Sequence, residues 1–398
     1  MPRLNGGVVK AAALPVRVAL LTEIVSPYRI PIFNKLAADA RIELEVLFFS
    51  ETEARRNWGI PWDKICFLYR VLPGFLVARR YQGGPMFFNP GIISALWRGK
   101  CQAVICFGYH HPTIWLALLW CRLMRVRTLL WSESTLRDTR PSSTLVNWTK
   151  RHLIRYFDGF VAAGKNQVEY LRYLGAPVEQ IWVAPDAVDS DFFATQSQIC
   201  SERRAEIKRS LGIEGPIVLY VGRLLDAKGI PELLEAFEQV VSRQQATLLL
   251  VGDGPDRVRY LEMCRKRELT LVRFEGFRPQ EELPRYYGIA DMLVFPTHSD
   301  PWGLVLNEAM SAGLPVICST AAGAAADLVR PGINGFLHEP GDIRALRHHT
   351  LTLLNDGELR SRMGVASREI ITDFSLEKMS QGFEEAVLDL PNQAYAGN

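Results

Sequence analysis

The chain lacks an uncharged apolar run of 18 residues, and its cysteines lack the spacing of a cross-linked or metal-bound scaffold. A membrane-spanning helix needs roughly 20 predominantly apolar residues, so none is expected. The seven cysteines are odd in number and include no C-x-x-C pair, which argues against a disulfide framework and against a zinc site. A reducing compartment fits this cysteine usage best.

The N-terminus lacks the features of a cleavable signal peptide. Arg3 and Lys10 precede an apolar stretch, but Arg17 interrupts it and no small-residue cleavage site follows. We therefore expect a short tail that leads into a first strand, and a cytoplasmic chain.

The composition itself is ordinary. The 398 residues are 48% apolar and 22% charged, which is close to the average of soluble globular proteins. This excludes a disordered, collagenous or coiled-coil chain. At roughly 100–200 residues per domain, the length predicts two domains.

Short apolar runs alternate with helical patterns in both halves of the chain. In the second half, the buried-strand pattern Pro216–Gly222 is followed by helically spaced apolar residues in Ile230–Ser242. In the first half, Val16–Leu21 and Ala103–Phe107 are strand patterns of the same kind. Such alternation predicts an α/β fold with two doubly wound, Rossmann-like parallel sheets.

The expected domain boundaries follow changes in hydrophobicity. They are an N-terminal acceptor-binding domain over 1–194, a linker over 195–213, a C-terminal donor domain over 214–374, a helix that docks back over 375–390 and a frayed tail over 391–398. Ligands of open α/β sheets bind at the carboxyl ends of the strands, so two facing domains predict a ligand in the cleft between them. Residues 51–92 break the alternation and are predicted to line this cleft rather than to form sheet.

Positive charge is concentrated in the first half. Residues 1–194 carry a net charge of +9 and residues 195–398 a net charge of −6. Within 79–156 there are 12 basic residues and two acidic ones, Glu133 and Asp138. The first half is therefore expected to face something anionic: a membrane surface, a phosphorylated substrate or nucleic acid.

Two cations follow the first strand of the second half. Arg223 stands directly after Gly222, and Lys228 comes five residues later, before a helix. Both side chains can reach one diphosphate from such a loop, Arg with a planar fork and Lys with a point charge. The alternative is a pair of solvated loop charges.

A second pattern joins two carboxylates to a helix that begins with glycine. Asp300 lies in a loop, Gly303 opens the next helix and Glu308 lies over one turn further in. Backbone N–H groups at Gly303, Leu304 and Val305 form a natural phosphate site at a helix N-terminus. A carboxylate at Glu308 can accept hydrogen bonds from both ribose hydroxyls. The alternative is a capping aspartate and a surface glutamate.

These patterns in combination resemble one family. Residues 216–342 are similar to the donor domain of the retaining glycosyltransferases of family 4, which have the GT-B fold of two Rossmann-like domains. The motifs that carry the similarity are Val221–Leu224, Leu250–Pro255, Phe274–Arg278, Ala290–Pro296, Gly303–Glu308 and Gly332–Gly335. The first half fits more loosely, through Ser26–Pro31 and Ala184–Asp189.

The resemblance implies roles for the donor-side residues. Arg223 and Lys228 match the family's diphosphate-binding pair. Asp300 and Glu308 match its two acidic residues, which contact the transferred sugar and the ribose; Asp300 replaces the usual Glu. Phe277 and Arg278 fall where the family places residues beside the nucleobase. The other donor-binding candidates are Gly222, Gly252, Gly303, Leu304 and Val305.

Acceptor-side candidates come from the first half. Tyr28 and Arg29 stand where many family members have a glycine-rich turn, although a purely structural arginine is an equal alternative. His110 and His111 follow the strand Ala103–Phe107, with an isolated surface pair as the alternative. Glu133 takes the place of a family histidine and is a candidate for contact with sugar or acceptor, with a structural salt bridge as the alternative.

A D-x-D pattern at Asp189 and Asp191 invites comparison with metal-dependent transferases. It lies near the predicted linker and does not follow a nucleotide-binding strand. We interpret it as a helix start, so no metal and no resident cofactor are expected.

The expected function is that of a retaining hexosyltransferase. It would move a hexose from a nucleotide diphosphate sugar to a hydroxyl of a glycan or lipid-linked saccharide, without a metal and with a catalytic set of Arg223, Lys228, Asp300 and Glu133. A peripheral attachment to the inner face of the cytoplasmic membrane is predicted from the basic region. The alternatives are a nucleotide-sugar epimerase of the same fold, a catalytically silent partner subunit and a nucleic-acid-binding protein, the last without any recognition motif. A dehydrogenase is disfavoured because no G-x-G-x-x-G follows either first strand.

Overall fold

A computed structural model describes residues 14–52, 59–77, 86–137 and 144–394. Its strands are β1 (Val16–Ile24), β2 (Ile42–Ser50), β3 (Leu68–Val71), β4 (Phe75–Val77), β5 (Met86–Phe88), β6 (Ala103–Phe107), β7 (Arg127–Ser132), β8 (Gly159–Ala162), β9 (Ile181–Val183), β10 (Ile217–Val221), β11 (Thr247–Val251), β12 (Val272–Gly276), β13 (Met292–Phe295), β14 (Val316–Ser319) and β15 (Gly335–His338).

Fifteen α-helices accompany these strands within the same described residues. They are α1 (Ile30–Ala37), α2 (Ile92–Gly99), α3 (Pro112–Met124), α4 (Thr144–Ile154), α5 (Lys165–Leu174), α6 (Ser190–Gln196), α7 (Ser201–Ser210), α8 (Ile230–Val241), α9 (Arg257–Lys266), α10 (Leu283–Ile289), α11 (Leu304–Ser311), α12 (Ala325–Leu328), α13 (Ile343–Asn355), α14 (Gly357–Ile371) and α15 (Leu376–Ala394).

The strands form two main sheets with the predicted α/β architecture. The first sheet has the order β3-β2-β1-β6-β7-β8-β9, and the second has the order β12-β11-β10-β13-β14-β15. β1 pairs in parallel with both β2 and β6, and all five pairings of the second sheet are parallel. The chain order reverses between β1 and β6 and between β10 and β13, so each sheet has one topological switch point. The predicted fold class is confirmed.

Both faces of the second sheet are buried. Side chains alternate along β10, so Leu219 joins one hydrophobic cluster while Val218 and Tyr220 join the cluster on the opposite face. A parallel sheet covered by helices on both sides needs apolar residues on both faces. This explains why β10, β11 and β13 read as uninterrupted apolar runs.

Contacts between Cα atoms divide the chain into two compact units. Unit 1 consists of 1–130, 156–158 and 384–398, and unit 2 consists of 131–155 and 159–383. The final helix α15 contributes to each: in unit 1 Glu384 forms an ion pair with Arg41 at 2.7 Å, and in unit 2 the ring of Phe383 packs 4.8 Å from that of Trp131.

Two local expectations are wrong, at residues 68–71 and 391–394, and the stretch predicted as a linker contains a helix. Residues 68–71 form β3 and pair with β2, so part of the stretch 51–92 belongs to the main sheet, because its backbone extends the apolar edge beside Val46 and Phe48. The predicted linker contains α7, whose Ile207 is buried. Residues 391–394 continue α15 rather than fraying.

Some predictions concern residues outside the described part of the chain: most of the N-terminal tail, Trp58 and Tyr81 of the 51–92 stretch, Asp138, and the last four residues of the predicted tail. Among the helices that the structure does describe, none combines the length and the apolar character needed to cross a membrane.

Candidate active site

The predicted diphosphate loop leaves β10 at the carboxyl edge of the second sheet. The N–H of Gly222 donates to the carbonyl of Val251 at 3.0 Å, and the N–H of Gly252 donates to that of Gly276 at 2.8 Å. Gly252 has φ +140°, and a Cβ there would lie 1.9 Å from the carbonyl oxygen of Gly222. Only glycine therefore allows the ends of β10 and β11 to approach so closely beside Arg223.

Lys228 and Asp300 meet at the switch point of this sheet. Lys228 ends a short 3-10 turn after β10, and Asp300 lies in the loop after β13. The Lys228 Nζ lies 2.6 Å from Oδ2 of Asp300 and donates to the carbonyl of Ser299 at 3.2 Å. The two side chains are only 17% and 20% exposed, so this ion pair is shielded from water.

Residues of α5 hold the loop that carries Asp300. Gln167 donates from Nε2 to the carbonyl of Pro301 at 2.6 Å, and Asn166 donates to that of Gly323 at 2.9 Å. Asp300 itself accepts from the N–H of Trp302 at 3.1 Å. The carboxylate is thus held by the N–H of Trp302, and α5 fixes its loop through Pro301.

Gly303 is the N-cap of α11 and lies close to this carboxylate in the chain. It has φ +101°, and a Cβ there would lie 2.8 Å from the ring of Phe295, so both conformation and space require glycine. Leu304 and Val305 follow in the first turn and are half-buried. The first N–H groups of a helix lack partners within it, so this end of α11 can receive an anion.

Glu308 lies on the same helix and is 1% exposed. The Tyr287 hydroxyl donates to its Oε2 at 2.5 Å, while Oε1 is buried and has no hydrogen-bond partner. Burial raises the pKa of Glu308 to about 8, although the Tyr287 hydroxyl opposes the shift. A buried, unsatisfied carboxylate oxygen is costly, which is typical of a site completed by a ligand.

The remaining donor-side candidates are more exposed. Arg223 is exposed, and its carbonyl accepts from the Tyr220 hydroxyl at 2.9 Å. Phe277 is half exposed. The Arg278 guanidinium lies 3.3 Å from Glu275 and 3.4 Å from Glu282, so its charge is paired within the protein.

The acceptor-side candidates lie at the carboxyl edge of the first sheet. Tyr28 and Arg29 belong to a 3-10 turn after β1, and the Arg29 guanidinium stacks 3.9 Å from the ring centroid of Phe107, the last residue of β6. Glu133 follows β7 directly and is half-buried.

His110 and His111 both contact Glu23, near the end of β1. Their Nε2 atoms lie 3.1 Å and 2.9 Å from the same oxygen, Oε1, of Glu23. Burial alone would raise the pKa of Glu23, but hydrogen bonds from the two imidazoles hold it well below its usual range. His111 is fully buried, and burial lowers its pKa despite the contact with Glu23.

Comparison with known families decides the class of the second half. Residues 203–370 match the family described as "Glycosyl transferases group 1". The chain carries a group 1 glycosyltransferase domain. This domain contains the whole constellation from Gly222 to Glu308, and the predicted kinship with glycosyltransferases is confirmed.

The relatives that the chain matches share part of its length. It is 26% identical over 273 residues to an N-acetyl-alpha-D-glucosaminyl L-malate synthase of Bacillus anthracis, with 68% of each chain covered. It is 30% identical over 245 residues to a D-inositol 3-phosphate glycosyltransferase of Xylanimonas cellulosilytica, covering 60% of this chain and 57% of that one.

The fold comparison extends over nearly the whole chain. The structure of Anabaena Alr3699/HepE in complex with UDP matches with a TM-score of 0.76 at 18% identity, covering 94% of this chain and 100% of that one. At this identity the likeness shows the fold, which is GT-B as predicted.

The glycosyltransferase domain brings some predicted residues together and adds others. Lys228 and Asp300 form an ion pair. Gly303 caps the N-terminus of α11, and Glu308 lies on the same helix. The D-x-D interpretation is confirmed, because Asp189 caps α6 by accepting from the N–H of Phe192 at 2.9 Å. The individual roles in donor and acceptor binding remain predictions.

Sequence reasoning missed Tyr287, Gln167 and Glu23. Tyr287 and Gln167 lie within helical patterns and resemble ordinary core and surface residues. The sequence offered one signal for Glu23, a glutamate at the carboxyl end of a first strand. Its partner His110 could not be inferred, since only the pairing of β1 with β6 brings residue 23 beside residue 110.

Proposed function

We propose that the protein is a retaining, metal-independent hexosyltransferase that uses a nucleotide diphosphate sugar and a hydroxyl of a glycan or lipid-linked saccharide. The observation that carries this proposal is the shielded Lys228–Asp300 pair beside the N-terminus of α11, inside the group 1 domain. It places a cation, a carboxylate and a helix N-terminus around one switch point.

The donor would lie along this edge of unit 2. Its diphosphate contacts Arg223, Lys228 and the first N–H groups of α11, its sugar contacts Asp300, and its ribose hydroxyls donate to Glu308. Negative charge develops on the leaving diphosphate as the bond to the sugar breaks. Positive groups fixed in advance around that charge stabilise the transition state without a metal.

Retention follows in this proposal from front-face transfer. The acceptor oxygen forms its bond to the anomeric carbon on the face from which the diphosphate departs, and the acceptor proton passes to the departing phosphate oxygen. Asp300 orients the sugar. The N–H of Trp302 holds its Oδ1, and Lys228 holds its Oδ2 until the diphosphate arrives, which supports a positioning role rather than attack on carbon.

The first experiment identifies the nucleotide. UDP, GDP, ADP and TDP are compared in a thermal-shift titration, because a ligand that binds the folded state raises the melting temperature by mass action. UDP is the first candidate, since the Anabaena structure contains it. If none of the four shifts the melting temperature, the donor assignment is wrong.

The second experiment tests mechanism. Product from the matching nucleotide sugar is analysed by NMR for the configuration of the new bond, with and without a chelator. The retained configuration and unchanged rates in chelator are expected. Inversion, or a loss of activity that Mg²⁺ restores, would overturn the corresponding part of the proposal.

We also propose that unit 1 contacts an anionic membrane surface. Helices α2 and α3 and the residue that follows each expose a set of large apolar and basic side chains: Ile93, Trp97, Arg98, Lys100, Trp115, Leu119, Arg122, Leu123, Met124 and Arg125. The opposite side of α3 is buried through residues such as Ile114 and Cys121. The helix therefore has one face that packs in the core and a separate face that is exposed to solvent. Apolar and basic side chains side by side are complementary to anionic lipid.

Co-sedimentation with vesicles tests this contact. We expect binding to vesicles containing phosphatidylglycerol, none to neutral phosphatidylcholine vesicles, and release as salt rises. If the same fraction of protein stays in the supernatant with both vesicle types, the membrane contact is wrong. The basic region would then act only in the fold or in binding a soluble acceptor.

A further inference from the structure

The cluster of Glu23, His110 and His111 has a defined proton arrangement. The N–H of Phe87 donates to Nδ1 of His111 at 3.1 Å, so that nitrogen carries no proton. The neutral ring must therefore carry its proton on Nε2, which donates to Oε1 of Glu23 at 2.9 Å. His111 is a buried structural support that fixes this carboxylate.

The same reasoning applies to His110. Glu23 is ionised, because its pKa is held low, and an ionised carboxylate only accepts hydrogen bonds. The Nε2 of His110, 3.1 Å from the same oxygen, therefore donates to it. In the neutral ring the other nitrogen, Nδ1, is then an acceptor, and pairing with a carboxylate strengthens it as one.

The position of His110 suits a ligand. Its side chain is 40% exposed, in contrast to that of His111. Glu23 and His110 flank the switch point between β1 and β6, where open α/β sheets bind ligands. Gly108 has φ +71°, and even a Cβ there would lie 3.4 Å from Nδ1 of His110, so glycine keeps side-chain atoms away from this nitrogen.

The loop around His110 is fixed in advance. The Trp115 indole N–H donates to the carbonyl of Tyr109 at 2.8 Å, and the ring of His110 packs 3.9 Å from that of His111. A binding group held by its neighbours loses little conformational entropy when a ligand arrives.

We infer that Nδ1 of His110, oriented by Glu23, accepts a hydrogen bond from a hydroxyl of the saccharide acceptor. Glu23 is the positioning residue and His110 the binding residue. This inference rests on the proposed function, since it assigns the acceptor side of the same reaction.

A metal ion is the competing occupant, because these three side chains place their ligand atoms within 4.8 Å of one another. A metal on Nε2 of His111 would move the ring proton to Nδ1. That proton would then face the N–H of Phe87, and two donors would oppose each other in a buried site. The hydrogen bond from Phe87 therefore favours the hydroxyl over the metal.

Two amide variants separate the roles of the two ring nitrogens. In His110→Asn the side-chain oxygen can occupy the position of Nδ1, whereas in His110→Gln the amide NH₂ can occupy that of Nε2 and keep the contact with Glu23. His348→Ala, at an exposed histidine of α13, is the matched control for the His110→Ala variant.

Kinetics with a panel of 4-nitrophenyl glycosides as acceptors provide the test. His110→Ala should raise the acceptor KM about tenfold or more, consistent with one lost hydrogen bond to a fixed acceptor. The His110→Asn variant should have an acceptor KM close to that of the wild type, whereas the His110→Gln variant should have a raised one. Rescue by Gln but not by Asn would show that His110 acts only through Glu23 and would overturn the inference.

Other outcomes also decide. If the wild type hydrolyses no nucleotide sugar, the proposed function fails; if it hydrolyses the donor but transfers to none of the glycosides, the saccharide hydroxyl is the wrong ligand while donor chemistry stands. Calorimetry with Zn²⁺ alone is expected to show no binding at this site. Tight Zn²⁺ binding that is lost in His110→Ala would overturn the proton arrangement and with it the inference.

Discussion

The two switch points of this molecule hold opposite kinds of charge. Between β10 and β13 a lysine meets one carboxylate, and Arg223 and the N-terminus of α11 lie along the same edge. Between β1 and β6 a carboxylate meets two imidazoles. In the proposed reaction the first arrangement supplies positive potential for a diphosphate, whereas the second supplies a hydrogen-bond acceptor for a neutral hydroxyl. One type of sheet position would thus serve two different chemical tasks.

The largest expected effect comes from the cations on the donor side. Arg223→Ala and Lys228→Ala should each lower turnover by about 10²–10³, or ~3–4 kcal/mol of lost transition-state stabilisation. Steady-state turnover is the measurement, and Arg243→Ala, at an exposed residue after α8, is the control. If both variants turn over at a rate near that of the wild type, Arg223 and Lys228 do not stabilise a diphosphate. The proposed difference between the two switch points would then be wrong.

A smaller effect is expected at Glu308. Glu308→Gln should weaken nucleoside diphosphate binding about tenfold near pH 8, because an amide cannot accept two ribose hydrogen bonds through carboxylate oxygens. The pKa of Glu308 is about 8 in the ligand-free protein, and binding favours the ionised form. Wild-type affinity should therefore rise with pH up to about 8, while that of the variant stays flat.

Calorimetric titration across pH 6–9 measures this dependence. Glu262→Gln, at an exposed residue of α9, should follow the wild type. Identical affinities and identical pH profiles for wild type and Glu308→Gln would make Glu308 a structural residue of the core.

Phe277 should contribute less. It is half exposed, so stacking on a nucleobase is expected at the lower end of the usual range, about 1 kcal/mol or fivefold in affinity. Phe277→Ala should weaken nucleotide binding by this factor without changing the melting temperature of the ligand-free protein. Phe75→Ala, at an exposed aromatic of unit 1, should leave nucleotide binding unchanged, and an equal loss in both variants would contradict a local effect.

The smallest effect is expected on the surface of α3. Arg122→Gln should weaken binding to anionic vesicles by up to about fivefold at low salt, since one basic residue near such a surface contributes about 1 kcal/mol. The difference should vanish at high salt, and Arg243→Gln should behave as the wild type. Loss of the same size in both variants would indicate a general effect of net charge.

The sequence identified the parts of the fold that have a strong local pattern. β10, β11 and β13 are uniform apolar runs that end at glycine or a loop, and α11 begins after a glycine, so their bounds could be predicted closely. β3 could not, because its residues are exposed or half-buried and lie among arginines and aromatics. β15 is four residues long and begins at Gly335, which resembles a turn.

The same distinction applies to the sites. Arg223, Lys228, Asp300 and Glu308 stand at short, fixed spacings from strand ends, so chain position alone suggested their shared chemistry. Glu23 and His110 are far apart in the chain and meet only through strand order. From the sequence, His111 and His110 were equal candidates for acceptor contact. The structure distinguishes them, because His111 is buried and its Nδ1 accepts a hydrogen bond from the N–H of Phe87.

The contact between Lys228 and Asp300 means that the ligand-free site already contains its own counter-ion. In the proposed reaction an arriving diphosphate does not neutralise a solvated lysine, because it replaces Asp300 as the anionic partner of Lys228. The same exchange would make Asp300 available to the sugar. We therefore expect donor affinity to depend less steeply on ionic strength than it would with two hydrated cations, because the exchange at Lys228 leaves the count of paired charges unchanged.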